Sequence, residues 1–94
     1  MAQVPQHLFA YVRRPCEYRP HVTAIVLFGL KVEGEGEPAV YLEIRFIDYD
    51  RLQVEGDHLM LSLKEALEAA RIDYGIEQGD WRGMSQEEID LVDS

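Results

Sequence analysis

Cys16 is the only cysteine in 94 residues, and it stands in RRPCEYRP with Arg13, Arg14 and Arg19 around it and His21 just beyond. Arginines on both sides favour a thiolate, and a histidine across a loop could serve as base to a nucleophilic sulfur. The remainder of such a site is missing. A phosphatase-type thiol would need an arginine at position 22 opening a helix; Val22 stands there and opens a strand. No glycine turn or helix start that could hold an oxyanion lies close by. Pro15 and Pro20 bracket the stretch, so it reads as a loop, with arginines that are solvated or paired with the acidic second half of the chain.

Other ligand-bearing residues are dispersed. His7, Cys16, His21 and His58 show neither the C-x-x-C nor the H-x-x-x-H spacing that lets two ligands meet one metal, so no metal or other cofactor is expected. Asp48, Asp50, Glu55 and Asp57 crowd one region. They lack the alternating D-x-D-x-D-G order of a calcium loop and read as a solvated acidic rim. GEGE at 34–37 has no lysine, and its carboxylates would repel a phosphate. Trp81 in GDWRG is expected to pack beside Ile76 rather than to anchor a partner. No catalytic residue emerges, and the chain is expected not to be an enzyme.

The length suits one domain, 1–94. Hydrophobic residues at 47% and charged residues at 29% are globular proportions. The net charge is −9, divided into +3 over residues 1–32 and −12 over residues 33–94. Such a surface repels phosphate backbones and attracts basic proteins, so nucleic acid is not expected as a partner. The apolar run 24–30 is far below the roughly 20 residues that span a bilayer, and MAQVPQHLFAYVRR lacks the basic start and apolar stretch of a secretory signal. No membrane contact is expected, and the compartment expected is the cytoplasm.

The elements follow from periodicity. Leu8, Ala10 and Val12 alternate with His7, Phe9 and Tyr11 as in a strand. HVTAIVLFGLKVE places Val22, Ala24, Val26, Phe28, Leu30 and Val32 on one face, with Ile25 and Leu27 on the other. GEGEP predicts a reversal, after which Val40, Leu42, Ile44 and Phe46 line one face of a further strand and Tyr41, Glu43, Arg45, Ile47 and Tyr49 the other. RLQVEGDHLML reads as a short hairpin turning at Gly56. Ser62 and Glu65 form a capping box ahead of an amphipathic helix with Leu63, Ala66, Leu67, Ala70 and Tyr74 on its apolar face, ending at Gly75. QGDWRG is expected to be a loop, and Ser85 with Glu88 starts a short terminal helix.

These elements predict an α+β domain, an antiparallel meander of three to five strands with the main helix on its even-numbered face and a short C-terminal helix. One helix covers one side of a sheet. Phe9, Tyr11, Ile25, Leu27, Tyr41, Ile47 and Tyr49 would then form an exposed apolar area larger than monomers ordinarily leave in water. That area is the candidate interaction surface, and a homodimer is the simplest way to cover it.

SLKEALEAARIDYGIEQGDWRGMSQEEID resembles the tail of many small bacterial proteins of uncharacterised function, which share a capped helix, a glycine stop and a tryptophan a few residues on. Some proteins with such tails are presumed immunity proteins, encoded beside toxin genes. The resemblance covers about a third of the chain and carries over no site residue. It implies a second function class beside the homodimerising module: an acidic immunity or inhibitor protein that masks a basic enzyme such as a nuclease.

Overall fold

The structure, a computed structural model, describes residues 6–30 and 40–93. The elements run β1 (His7–Tyr11), β2 (Ala24–Leu30), β3 (Val40–Asp48), β4 (Gln53–Met60), α1 (Leu63–Tyr74), a 3-10 turn at Gln78–Asp80, β5 (Arg82–Gly83) and α2 (Gln86–Asp93). The five strands form one sheet in the order β4-β3-β2-β1-β5, antiparallel throughout. The α+β class read from the sequence is the class observed. The expected GEGEP reversal lies outside the described residues.

Both faces of the sheet are covered by the chain itself. On one side, α1 sets Ala66, Ala70 and Tyr74 against Ala10, Ile25, Leu27, Tyr41 and Met60, with Ile76 sealing the helix end. Alanines at the contact let the helix approach bulky strand residues closely. On the other side Phe9, Ala24, Val26, Phe28, Ile44 and Phe46 form a second apolar layer, roofed by Met84 and by Ile89 and Val92 of α2. Residues 24–29 of β2 are consequently all buried, the mark of a central strand sandwiched between two layers.

Two expectations are corrected. The main helix packs on the odd-numbered residues of β2 and β3, not on the even ones, and RLQVEGDHLML holds one strand, Gln53–Met60, rather than a hairpin. The reversal comes earlier, where Leu52 donates its N–H to the Tyr49 carbonyl at 3.0 Å and takes a positive φ of 53°. Gly56 instead sits beside a bulge: Arg45 pairs with Gly56 and Phe46 with Val54, leaving Glu55 as the extra residue. A glycine followed by Asp57 looks like a turn in sequence, but here it serves close approach. A Cβ on Gly56 would lie 2.6 Å from Arg45 Nη2.

The helix caps form, with one change of partner: Glu65 Oε2 accepts the Leu61 N–H at 3.1 Å rather than that of Ser62. Ser62 Oγ accepts the Glu65 N–H at 3.0 Å, and Gly75 adopts a left-handed φ of 68° with its N–H on the Arg71 carbonyl. Ser85 and Glu88 cap each other reciprocally at 3.2 and 3.1 Å. QGDWRG is more ordered than a loop, since Arg82 and Gly83 pair with Phe9 and Leu8 as the short outer strand β5.

Candidate functional site

The basic stretch 13–20 is a structural brace. The N–H groups of Arg13 and Arg14 both reach the Tyr74 carbonyl, at 3.0 and 2.9 Å, and the Arg14 guanidinium donates to the Ile72 carbonyl. They satisfy the carbonyls left over at the end of α1, where positive charge also complements the helix dipole. Cys16 is buried in the α1-side core, and Arg19 closes a turn on its carbonyl at 3.1 Å. A thiol placed there packs as a small apolar group.

Below this brace lies an ionic cluster that alternation alone does not reveal, with Glu43 and Arg45 buried and Glu55 and Arg19 at its more exposed rim. Arg45 Nη1 stands 3.6 Å from Glu43 Oε1, and its Nε and Nη2 each reach Glu55 Oε1 at 3.3 Å. Arg19 Nη1 meets the other oxygen of Glu55 at 3.2 Å. The bulge brings Glu55 to the α1 side of β4, a re-aiming that bulges commonly provide. Glu43 is only 4% exposed, and its Oε2 has no hydrogen-bond partner among the described residues. Burial pushes the Glu43 carboxyl above its ordinary pKa, against the pull of Arg45. Glu55, tied to two arginines, lies below its ordinary value despite some desolvation.

A second knot fastens α2. The Arg82 guanidinium grips Glu88 with two bonds of 2.9 Å, and Tyr49 Oη donates to Glu88 Oε2 at 2.8 Å. The Arg82 fork and the Ser85 N–H hold the Glu88 carboxyl well below the usual carboxylate range. Burial first, then the Glu88 contact, pushes the Tyr49 hydroxyl up to about 12. Arg82 also lies over the Phe9 ring at 4.4 Å.

The seven residues expected to form one outer surface are divided between the two layers. Ile25, Leu27 and Tyr41 lie buried beneath α1. Phe9 and Tyr49 belong to the opposite layer under α2, Tyr11 stands at its margin 60% exposed, and Ile47 is half-buried. The registers explain the division: Leu8 pairs with Leu27 and Phe9 with Val26, so the odd residues of β1 share a face with the even residues of β2. Four of the seven, Phe9, Ile25, Leu27 and Tyr41, are therefore core, and the contiguous surface that motivated the homodimer is not present.

Beside scattered exposed side chains such as Tyr18 and Ile72, an exposed apolar stretch runs along β4. Val54 and Leu59 are 48% and 49% exposed and Leu61, just past the strand, 67%. Leu59 pairs with the half-buried Leu42 of β3, on the α2 side of the sheet and beyond the reach of that eight-residue helix. β4 is also the outermost strand, with no neighbour on its far side among the described residues. It carries Glu55 and Asp57 but neither Lys nor Arg. The sequence signal for this site was present in the apolar Val54, Leu59 and Leu61, but reading a hairpin there hid the long open edge.

The remaining residues with chemical potential do not converge. His7 stacks on Phe28 with centroids 4.2 Å apart and accepts the Gly29 N–H at 3.0 Å. His21 and His58 are exposed, and Asp48 is engaged by the Arg51 N–H at 3.2 Å. Among the described residues no three His, Cys, Asp or Glu side chains gather as a metal site would require, and no helix is long and apolar enough to cross a membrane. Trp81 packs against Ile76 and the α1-side core and borders a shallow groove beside Leu67, whose rim charges Glu68 and Arg71 are bonded to each other. Comparison with protein-family models, curated proteins and solved structures finds no match.

Proposed function

We propose that the chain is a non-enzymatic, cytoplasmic protein-binding module that presents the β4 side of its sheet to a basic partner, in the manner of an acidic inhibitor or immunity protein. The observation that carries this reading is the open β4 edge with Val54 and Leu59 about half exposed and Leu61 two-thirds exposed beside it. Monomeric proteins commonly guard such edges with lysine; this one offers acid instead. A net charge of −9 speeds encounter with basic proteins and repels copies of itself. The tail, which resembles that of presumed immunity proteins, is consistent with this reading.

A photo-crosslinking amino acid placed at Leu59 should capture a discrete partner in cells, whereas the same group at Ile72, also exposed but on α1, should not. Equal adducts at both positions, or none at Leu59, would refute the reading. Homodimerisation is the second reading, favoured by the apolar row of Leu42, Leu59 and Leu61. An adduct with twice the 10.8 kDa chain mass would establish it.

A further inference from the structure

We infer that the occupant of the β4 edge is an extended segment of a basic partner, added as a further strand, with a lysine or arginine opposite Asp57 and an apolar residue two positions away, opposite Leu59. This inference rests on the reading of β4 as the binding side. It adds the mode of binding and the chemistry of what binds.

The backbone supplies the first part. β4 runs for eight residues, Gln53–Met60, at the edge of the sheet, so alternate N–H and C=O groups point outward and can be satisfied by one more strand. Side chains supply the second. Residues of an added strand that face the α2 side would lie over Leu59 and Asp57 in turn, the β4 partners of Leu42 and Ile44, and the bulge interrupts this two-residue spacing before Val54. An apolar and a basic residue spaced two apart match that row. Glu55 is excluded from the row, since the bulge commits it to Arg45 and Arg19 on the other face. Asp57 is exposed and takes part in no ion pair among the described residues.

A second copy fits the edge less well. Antiparallel self-pairing centred on Asp57 would oppose two aspartates, which is unfavourable directly across a ladder, and in other registers the −9 charge of each chain still repels its copy. The same acids that oppose self-pairing attract a basic strand.

The test uses the whole chain and a defined probe, the peptide Ac-Thr-Thr-Val-Thr-Lys-Thr-Val-Thr-Thr-NH2, with a partner peptide in which Glu replaces Lys. In an NMR titration the lysine peptide should shift alternate β4 amides and slow their hydrogen exchange, while the glutamate peptide binds several-fold more weakly. Asp57→Lys, an exposed change that leaves the core intact, should invert that preference, with each ratio on the order of fivefold for one cross-strand charge pair. Shifts scattered over acidic residues, without protection of β4, would overturn the inference. So would a peptide-free dimer whose β4 amides are already protected; the β4 binding reading would then survive with a second copy as occupant. Absence of peptide binding together with absence of crosslinks at Leu59 would overturn both.

Discussion

Glu43 is the residue at which burial and pairing most openly compete. Desolvation outweighs Arg45, so the carboxyl sits above its ordinary pKa and the ionised form detracts from stability at neutral pH. A raised folded-state value means that stability is greatest below the ordinary glutamate range of about 4 and falls as pH rises through the folded value. Glu43→Gln removes the charge while Glu55 continues to hold Arg45. Thermal melts should show the variant more stable than the parent at pH 7.5, by about 1 kcal/mol, with the difference closing near pH 3.5, where Glu43 is itself protonated. A variant less stable at both pH values would show that the Arg45 contact outweighs desolvation. Glu43 is legible in the sequence only as one polar residue between Tyr41 and Arg45; Glu55, the other carboxylate on Arg45, is not, because a bulge changes which face a residue takes.

At the scale of elements, α2 is the fastening most open to adjustment. It buries no residue completely and is held by the Glu88 knot with Arg82, Tyr49 and Ser85. Glu88→Gln should weaken the Arg82 fork and cost about 1–2 kcal/mol, as loss of a charge-assisted cap commonly does. Faster amide exchange in 86–93, with α1 unchanged, is the measurement that checks it. The pH dependence has the opposite sign to that of Glu43. A depressed carboxylate contributes fully above the ordinary value of about 4.3 and loses its contribution as pH falls below it. The wild-type α2 should therefore loosen in acid, and the Glu88→Gln helix should show no comparable additional loss. Both capping serines, both helices and the strands β1 to β3 were legible from period and cap chemistry. β4 was misread as a hairpin because Gly56 has the same appearance whether it makes a turn or makes room for an arginine.

For the whole molecule, the decisive feature is that the sheet is covered twice. With Ile25, Leu27 and Tyr41 buried under α1 and Phe9 under α2, most of the apolar area expected to demand a second copy is internal. Sedimentation at micromolar concentration and physiological salt should return a single chain of 10.8 kDa, and a dimer would instead make the second copy the occupant of β4. Composition, charge and local periodicity are properties of neighbouring residues, so the sequence by itself determined the α+β class, the capped helices, the strand periods and the acidic bias of residues 33–94. Which face each helix covers, how the bulge turns Glu55 inward and which edge stays open depend on pairing between residues distant in the chain. Antiparallel registers such as Leu8 with Leu27 are chosen by the fit of both layers at once, and only the tertiary structure decides them.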